Sequence, residues 1–185
     1  MDIQKYVEEA HQTAMKHGWH DEKESKEHFL MLIITEIAEL IQADRKNIHS
    51  RWELFCNRLI VDVKDPDERF KEWFKTYIKQ SFEDELADIC IRVFDFIGEF
   101  NIRIEQLDKI QTEINPDFDK MSLTEQCFMV VGAITECDSM PINCKNILLL
   151  AEHWAKRYGI DLEWHIKQKM RYNKLREWRH GNKKY

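Results

Sequence analysis

Two stretches of this chain set paired carboxylates into otherwise apolar helix. They are Glu36-Ile-Ala-Glu39, inside HFLMLIITEIAEL, and Glu85-Leu-Ala-Asp88, inside FEDELADICIRVFDFIG. Residues three apart lie on one helix face, so each motif aims both acids the same way. In the first stretch Phe29, Leu32, Glu36, Glu39 and Ala43 follow at helical spacing, beside a stripe of Leu30, Ile33, Ile37, Leu40 and Ile41. Residues 29–34 are apolar all round, which predicts a helix buried on most sides. In the second, Leu86, Ile89, Cys90, Val93, Phe94 and Ile97 form the apolar stripe, with Arg92 one turn beyond Asp88. Ser81 and Asp84 have the spacing of a capping box, which predicts a helix start near residue 81. Burying ionised carboxylates without partners costs several kcal/mol each. Cations, protons or a wet cleft must compensate.

Antiparallel packing of these helices would let Glu36, Glu39, Glu85 and Asp88 converge. Such an all-oxygen set suits a hard divalent cation, Mg²⁺ foremost and Mn²⁺ as the alternative. Neither motif contains His or Cys, which disfavours zinc. The competing reading is ordinary solvated acidic helix faces, and two such pairs in apolar helices weigh against it.

The remaining pattern is helical. Only 5 Gly and 3 Pro occur in 185 residues, and no Asn-Gly or Asp-Gly hairpin signal is present. This predicts long helices with short connections: an all-α helical bundle, one domain over 1–185. Helices are expected over 2–17, ended by Gly18, and over 26–46. More are expected within 47–64, from Pro66 through the aromatic stripe Phe70, Trp73, Phe74, Tyr77 and Ile78, and over 102–114. Asn115-Pro116-Asp117 and Met140-Pro141 read as breaks. Ser122 and Glu125 predict a capping box for the next helix. A helix over 143–158 stops at Gly159, and Asp161 caps a last one reaching about Trp178. The aromatic stripe reads as core or subunit contact before nucleobase pocket. Asp62, Asp65 and Asp67 lack the Gly and closing Glu of a calcium loop.

In the last helix Lys169, Asn173 and Arg176 recur at i, i+4 and i+7, a face suited to phosphate and to a base or sugar. The alternative is a solvated basic face. Trp19, in the Trp19-His20-Asp21 loop, either plugs a helix end or stacks on a base. The tail HGNKKY either folds over a ligand or frays.

The net charge of −6 is unevenly spread. Residues 167–185 carry eight basic side chains and one acid, a charge of +7 that leaves −13 on the rest. That acidic body argues against nucleic acid as a partner. The five cysteines, 56, 90, 127, 137 and 144, form no CxxC pair and read as reduced core thiols. The N-terminal MDIQKYVEEA lacks a signal-peptide pattern, and no apolar run approaches the ~20 residues of a membrane span. A cytoplasmic protein without membrane contact is expected.

The motifs together resemble the MazG-like all-α nucleoside triphosphate pyrophosphohydrolases. The resemblance rests on ExxE at Glu36 and Glu39, ExxD at Glu85 and Asp88 within EDELADICIRVFD, and Lys-x3-Asn-x2-Arg at Lys169, Asn173 and Arg176 within KMRYNKLR. It covers about residues 28–46, 81–102 and 146–181. Between Glu39 and Glu85 lie 45 residues, longer than in compact members, so about 47–80 forms an insert. The dimeric all-α dUTPases, which look like a sibling branch, have longer spacers too. The resemblance implies a Mg²⁺-dependent hydrolysis of a nucleoside triphosphate between its α- and β-phosphates, giving a monophosphate and pyrophosphate. In that scheme the four acids hold metal, and Glu36 or Glu39 orients or deprotonates water. Lys169 and Arg176 stabilise the departing pyrophosphate. Arg92 either assists them or pairs with Asp88 along its helix. A homodimer or higher homo-oligomer is expected. The alternatives are a dUTPase- or dCTPase-like pool enzyme and a non-catalytic helical scaffold whose acids pair with the basic tail.

Overall fold

A computed structural model describes residues 1–59, 65–111, 113–182 and 184. The described chain is all-helical, with no strand among the described residues. Its α-helices are α1 (Ile3–Lys16), α2 (Lys26–Arg45), α3 (Trp52–Leu59), α4 (Pro66–Tyr77), α5 (Phe82–Glu99), α6 (Ile104–Asp108), α7 (Leu123–Glu136), α8 (Met140–Tyr158) and α9 (Leu162–Lys174). A 3₁₀ segment spans Pro116–Lys120 and a short turn Arg179–Asn182. The part of the expected 47–64 helix beyond Leu59, with Ile60 and Val61, lies outside the described residues, as does Asp62.

Helix α5 is the axis of the bundle. It packs against α1, α2, α8 and α9. Leu86, Ala87, Cys90, Val93, Phe94, Phe96 and Ile97 are fully buried along it, so both its apolar sides are used. The expectation of burial on most sides therefore belongs to α5 and not to α2. Met31 of α2 is 57% exposed, because α2 is an outer helix that covers only one flank of α5. The local stops behave as chemistry dictates. Ser25, Ser81, Ser122 and Asp161 each accept a hydrogen bond from a first-turn backbone amide, at α2, α5, α7 and α9 respectively. At α7 the reciprocal Glu125 bond completes a capping box. At α5 it does not: the Asp84 carboxylate accepts instead from the amide of Gln80, one residue before the cap. Pro141 lies in the first turn of α8, where it lacks only an amide the helix would leave unpaired, so it opens the helix rather than breaking the chain.

The 47–80 segment is not a detached excursion. Phe55, Phe70, Phe74 and Ile78 form a second apolar cluster with Tyr172 of α9. Phe74 stacks on Tyr172 with centroids 4.5 Å apart. The aromatic stripe is thus core, and its job is to brace α9. Cys90, Cys127 and Cys144 are buried thiols, and all five cysteines are free. Among the described residues no helix is long and apolar enough to cross a membrane.

Candidate metal and phosphate cleft

A cleft of about 380 Å³ opens where α1, α2, α5 and α9 meet. That is within the size range of small-molecule sites, ~300–1,000 Å³. The helix α2 contributes Glu36 and Glu39, and α5 contributes Asp84, Glu85, Asp88, Arg92 and Asp95. Lys169 and Asn173 come from α9, with Arg176 just after it. Ala10 and Ala14 of α1 and Trp19 of the following loop close the remaining side.

The two acid motifs do meet. Oxygens of Glu36, Glu39 and Glu85 all lie within 4.8 Å of one another. Glu36 and Glu85 are buried while Glu39 is exposed. Burial, then the nearby charge of Asp88, pushes Glu85 up to about 9. The same two causes push Glu36 up to about 7, against the pull of Arg92. Glu85 Oε2 is buried without a hydrogen-bond partner, as are Asp84 Oδ1 and Asn173 Oδ1. Three orphaned buried acceptors lining one cleft, two from α5 and one from α9, are a strong signal, since buried polar atoms are almost always satisfied. The donor set is all oxygen, so it fits a hard dication that would supply what these acceptors lack.

Asp88 is arranged differently. Its Oδ2 accepts from Lys169 Nζ at 2.6 Å, and Asp84 Oδ2 accepts from the same ammonium at 2.8 Å. Lys169 is only 4% exposed. Burial opposes its charge, but Asp84 and Asp88 outweigh burial and hold its pKa above the usual lysine value. Lys169 is thus the counter-ion of two acids rather than a solvated phosphate ligand. Arg92 does not pair with Asp88 along the helix. Its Nε donates to Glu36 Oε1 at 2.9 Å, tying α5 to α2.

Helix α9 ends at Lys174, not near Trp178, so Arg176 stands beyond it and not on a continuous i, i+4, i+7 face. It still lines the cleft. Its guanidinium lies over the Tyr172 ring at 5.7 Å and, among the described residues, makes no ion pair with a carboxylate. This makes it the cleft cation open to an anion. Trp19 is half-buried at the rim with its ring edge-on to His180, 5.2 Å away. The tail docks rather than frays through residue 180. The Arg179 amide donates to His17 O, its Nε donates to Gly18 O, and His17 Nε2 lies 3.0 Å from Arg176 O. Gly18 permits this: at φ +76 its Cα faces Trp178, and a Cβ would sit 2.2 Å from that ring.

Sequence reasoning missed Asp84, His17 and His180. Asp84 could have been suspected from its place one turn before Asp88 on the same helix face. Nothing local marks the two histidines.

The chain matches no family model, no curated protein and no solved structure.

Proposed function

We propose that the chain is a divalent-metal-dependent nucleoside triphosphate pyrophosphohydrolase, acting on the α–β phosphoanhydride to give a monophosphate and pyrophosphate. The observation that carries this reading is the trio Glu36, Glu39 and Glu85, with one buried orphan oxygen, facing a phosphate-sized cleft that also holds Arg176. Carboxylates and a polyphosphate are both anionic, so they share a cleft only across cations. Mg²⁺ held by Glu36, Glu39 and Glu85 would supply charge neutralisation and a more acidic bound water.

The chain's own residues take the other tasks. Asn173 and Arg176 lie across from the acids and receive phosphate oxygens. Trp19, Ala10 and Ala14 offer a flat apolar surface to a base. Glu39, the exposed member of the trio, is the group with open access to solvent and orients the attacking water. Asp88 and Lys169 hold the floor of the cleft, and the pair keeps α9 against α5. The reading takes the chain as a cytoplasmic homo-oligomer, and leaves dUTP and dCTP among the substrates to be compared.

A second reading, a scaffold without catalysis, is favoured by one feature: Lys169 already pairs with both Asp84 and Asp88. One experiment separates the two. The full chain is incubated with each NTP and dNTP, with Mg²⁺ or with EDTA, beside Glu85→Gln. Monophosphate plus pyrophosphate, lost with EDTA and in the variant, supports the enzyme. Orthophosphate release would move the cut to the γ-phosphate. No turnover, with melting unmoved by Mg²⁺, would leave the scaffold.

A further inference from the structure

A second cluster of metal-ligating side chains stands at the α1 end of the cleft, and nothing in the proposed hydrolysis uses it. His11 Nδ1 lies 3.1 Å and His20 Nε2 2.8 Å from the same oxygen, Oδ1 of Asp95. All three atoms are within 4.8 Å of one another. The other nitrogen of His20 lies 2.8 Å from Glu99 Oε2. The side chains of His20 and Asp95 are 8% and 9% exposed, and that of His11 is 20% exposed.

From this geometry we propose that His11, His20 and Asp95 form a site for a borderline dication of the Zn²⁺ or Co²⁺ type, distinct from the carboxylate trio. Two imidazoles and one carboxylate are the donor set such ions prefer, and three protein ligands leave a coordination position open. The 2.8 and 3.1 Å edges are hydrogen-bond lengths, and ligands around a tetrahedral ion at ~2.0–2.2 Å stand about 3.3–3.6 Å apart, so an ion is admitted by an opening of a few tenths of an ångström. Glu99 adds the feature that separates a ligand cluster from a chance salt bridge. A carboxylate on the second ring nitrogen fixes the tautomer and aims the first nitrogen at the metal.

The fold builds the approach deliberately. Gly98 faces α1, and a Cβ there would lie 2.6 Å from the His11 Cβ. Only a residue without a side chain lets His11 come this close to α5. The face that carries the acids is equally regular, with Asp88, Arg92, Asp95 and Glu99 recurring along α5 at helical spacing. His20 packs flat against Phe29, which shields one side of the cluster from water. An ion here would clamp the loop bearing Trp19 to α5, at the rim of the cleft that Asp95 also lines.

The test uses the full chain carrying Glu85→Gln, so that loss of the carboxylate site cannot be confused with loss of this one. Co²⁺ is titrated and followed by its visible ligand-field absorption, with Zn²⁺ as competitor and circular dichroism as the check on folding. One equivalent is expected to bind with nitrogen ligation and to be displaced by Zn²⁺. His11→Ala, at the outer edge of the cluster, should abolish the absorption without unfolding the chain. His20→Ala should do the same. Glu99→Gln should weaken binding about 10–100-fold, as loss of such an outer carboxylate does elsewhere. Gly98→Ala should weaken it at least tenfold by displacing His11. Absence of Co²⁺ binding in the Glu85→Gln chain overturns the proposal. So does binding that survives both histidine substitutions unchanged.

Discussion

Neighbouring acids of α5 join two groups that are treated differently. Asp84 and Asp88 share the ammonium of Lys169 at 2.8 and 2.6 Å. Glu85, between them in sequence, faces α2 and meets Glu36 and Glu39, with one oxygen unpartnered. The first group is tied by one ammonium within the chain, although a buried Asp84 oxygen stays unpartnered and burial lifts Asp84 to about 6. The second is open, and in the absence of a cation it is settled by protons, which is why burial lifts Glu85 to about 9 and Glu36 to about 7. Neighbouring carboxylates of one helix thus serve structure or ligand according to which helix they face.

The sharpest way to break that contrast is to remove the ammonium. Lys169→Met leaves the buried Asp84 and the partly buried Asp88 without a counter-ion and is expected to cost about 3–5 kcal/mol in chemical denaturation at neutral pH. Glu85→Gln, in the open group, should instead raise apo stability there, because folding no longer has to take up the proton that the unfolded glutamate has released. Comparable losses in the two variants would show that both groups are structural.

Cation binding gives the next largest effect. A ligand that binds only the folded chain at 100 times its dissociation constant stabilises it by about 2.7 kcal/mol. Saturating Mg²⁺ should raise the melting temperature of the native chain accordingly. The same addition should leave Glu85→Gln almost unmoved and should still stabilise an Asp88→Asn chain in part.

The pH dependence distinguishes the groups further. The pKa of Glu85 is raised on folding, from the usual glutamate value of about 4.3 to about 9. In between, the folded chain binds the proton that the unfolded chain has released. Stability therefore falls as pH rises through this window, by up to about 1.4 kcal/mol per unit for one proton. The contribution is intact below about pH 4 and spent above about pH 9. Glu85→Gln should flatten the metal-free profile above pH 5, as measured by urea titration at successive pH values. A profile with the same slope in both chains would place the proton elsewhere.

Much of this division was legible before any coordinates, and the limit is physical. The i,i+3 spacing of Glu36–Glu39 and Glu85–Asp88 is a property of the helix, and it placed both motifs on the cleft. Helix type and most caps were equally local: Ser81, Ser122, Gly159 and Asp161 act through amides within a turn of themselves. What the sequence concealed depends on which helix lies opposite. Lys169 reads as one member of a basic face until Phe74 and Tyr172 fix α9 against α5 and bury it. Arg92 sits one turn from Asp88, yet it pairs with Glu36 because α2 presents a nearer acid. The His11–His20–Asp95 cluster joins residues 75 and 84 positions apart in sequence, and no periodicity spans such gaps. Arg176 was assigned to a helix that had already ended at Lys174, but the chain turns back there and returns it to the same cleft.

Arg92 offers the finest test, because it alone bridges the open group to a fixed charge. Its guanidinium draws Glu36 down while burial and Asp88 drive it up. Arg92→Gln keeps an N–H donor at the position of Nε but removes the rest of the guanidinium and its charge, so Glu36 should hold its proton to higher pH. The proton competes with a cation for the same oxygens, so Mg²⁺ affinity should drop several-fold near pH 7. As pH rises past the new pKa the competition ends, and the variant should approach the native affinity. The ion pair is about one-third exposed on its arginine side, so the accompanying loss of apo stability should stay near 1 kcal/mol or below. Calorimetric Mg²⁺ titrations between pH 6 and pH 9 decide the matter. An affinity gap that closes with pH means Arg92 acts through the charge state of Glu36. A gap that stays constant means it acts only by holding α2 and α5 in register, and the open group would then owe its proton to burial and the neighbouring acids.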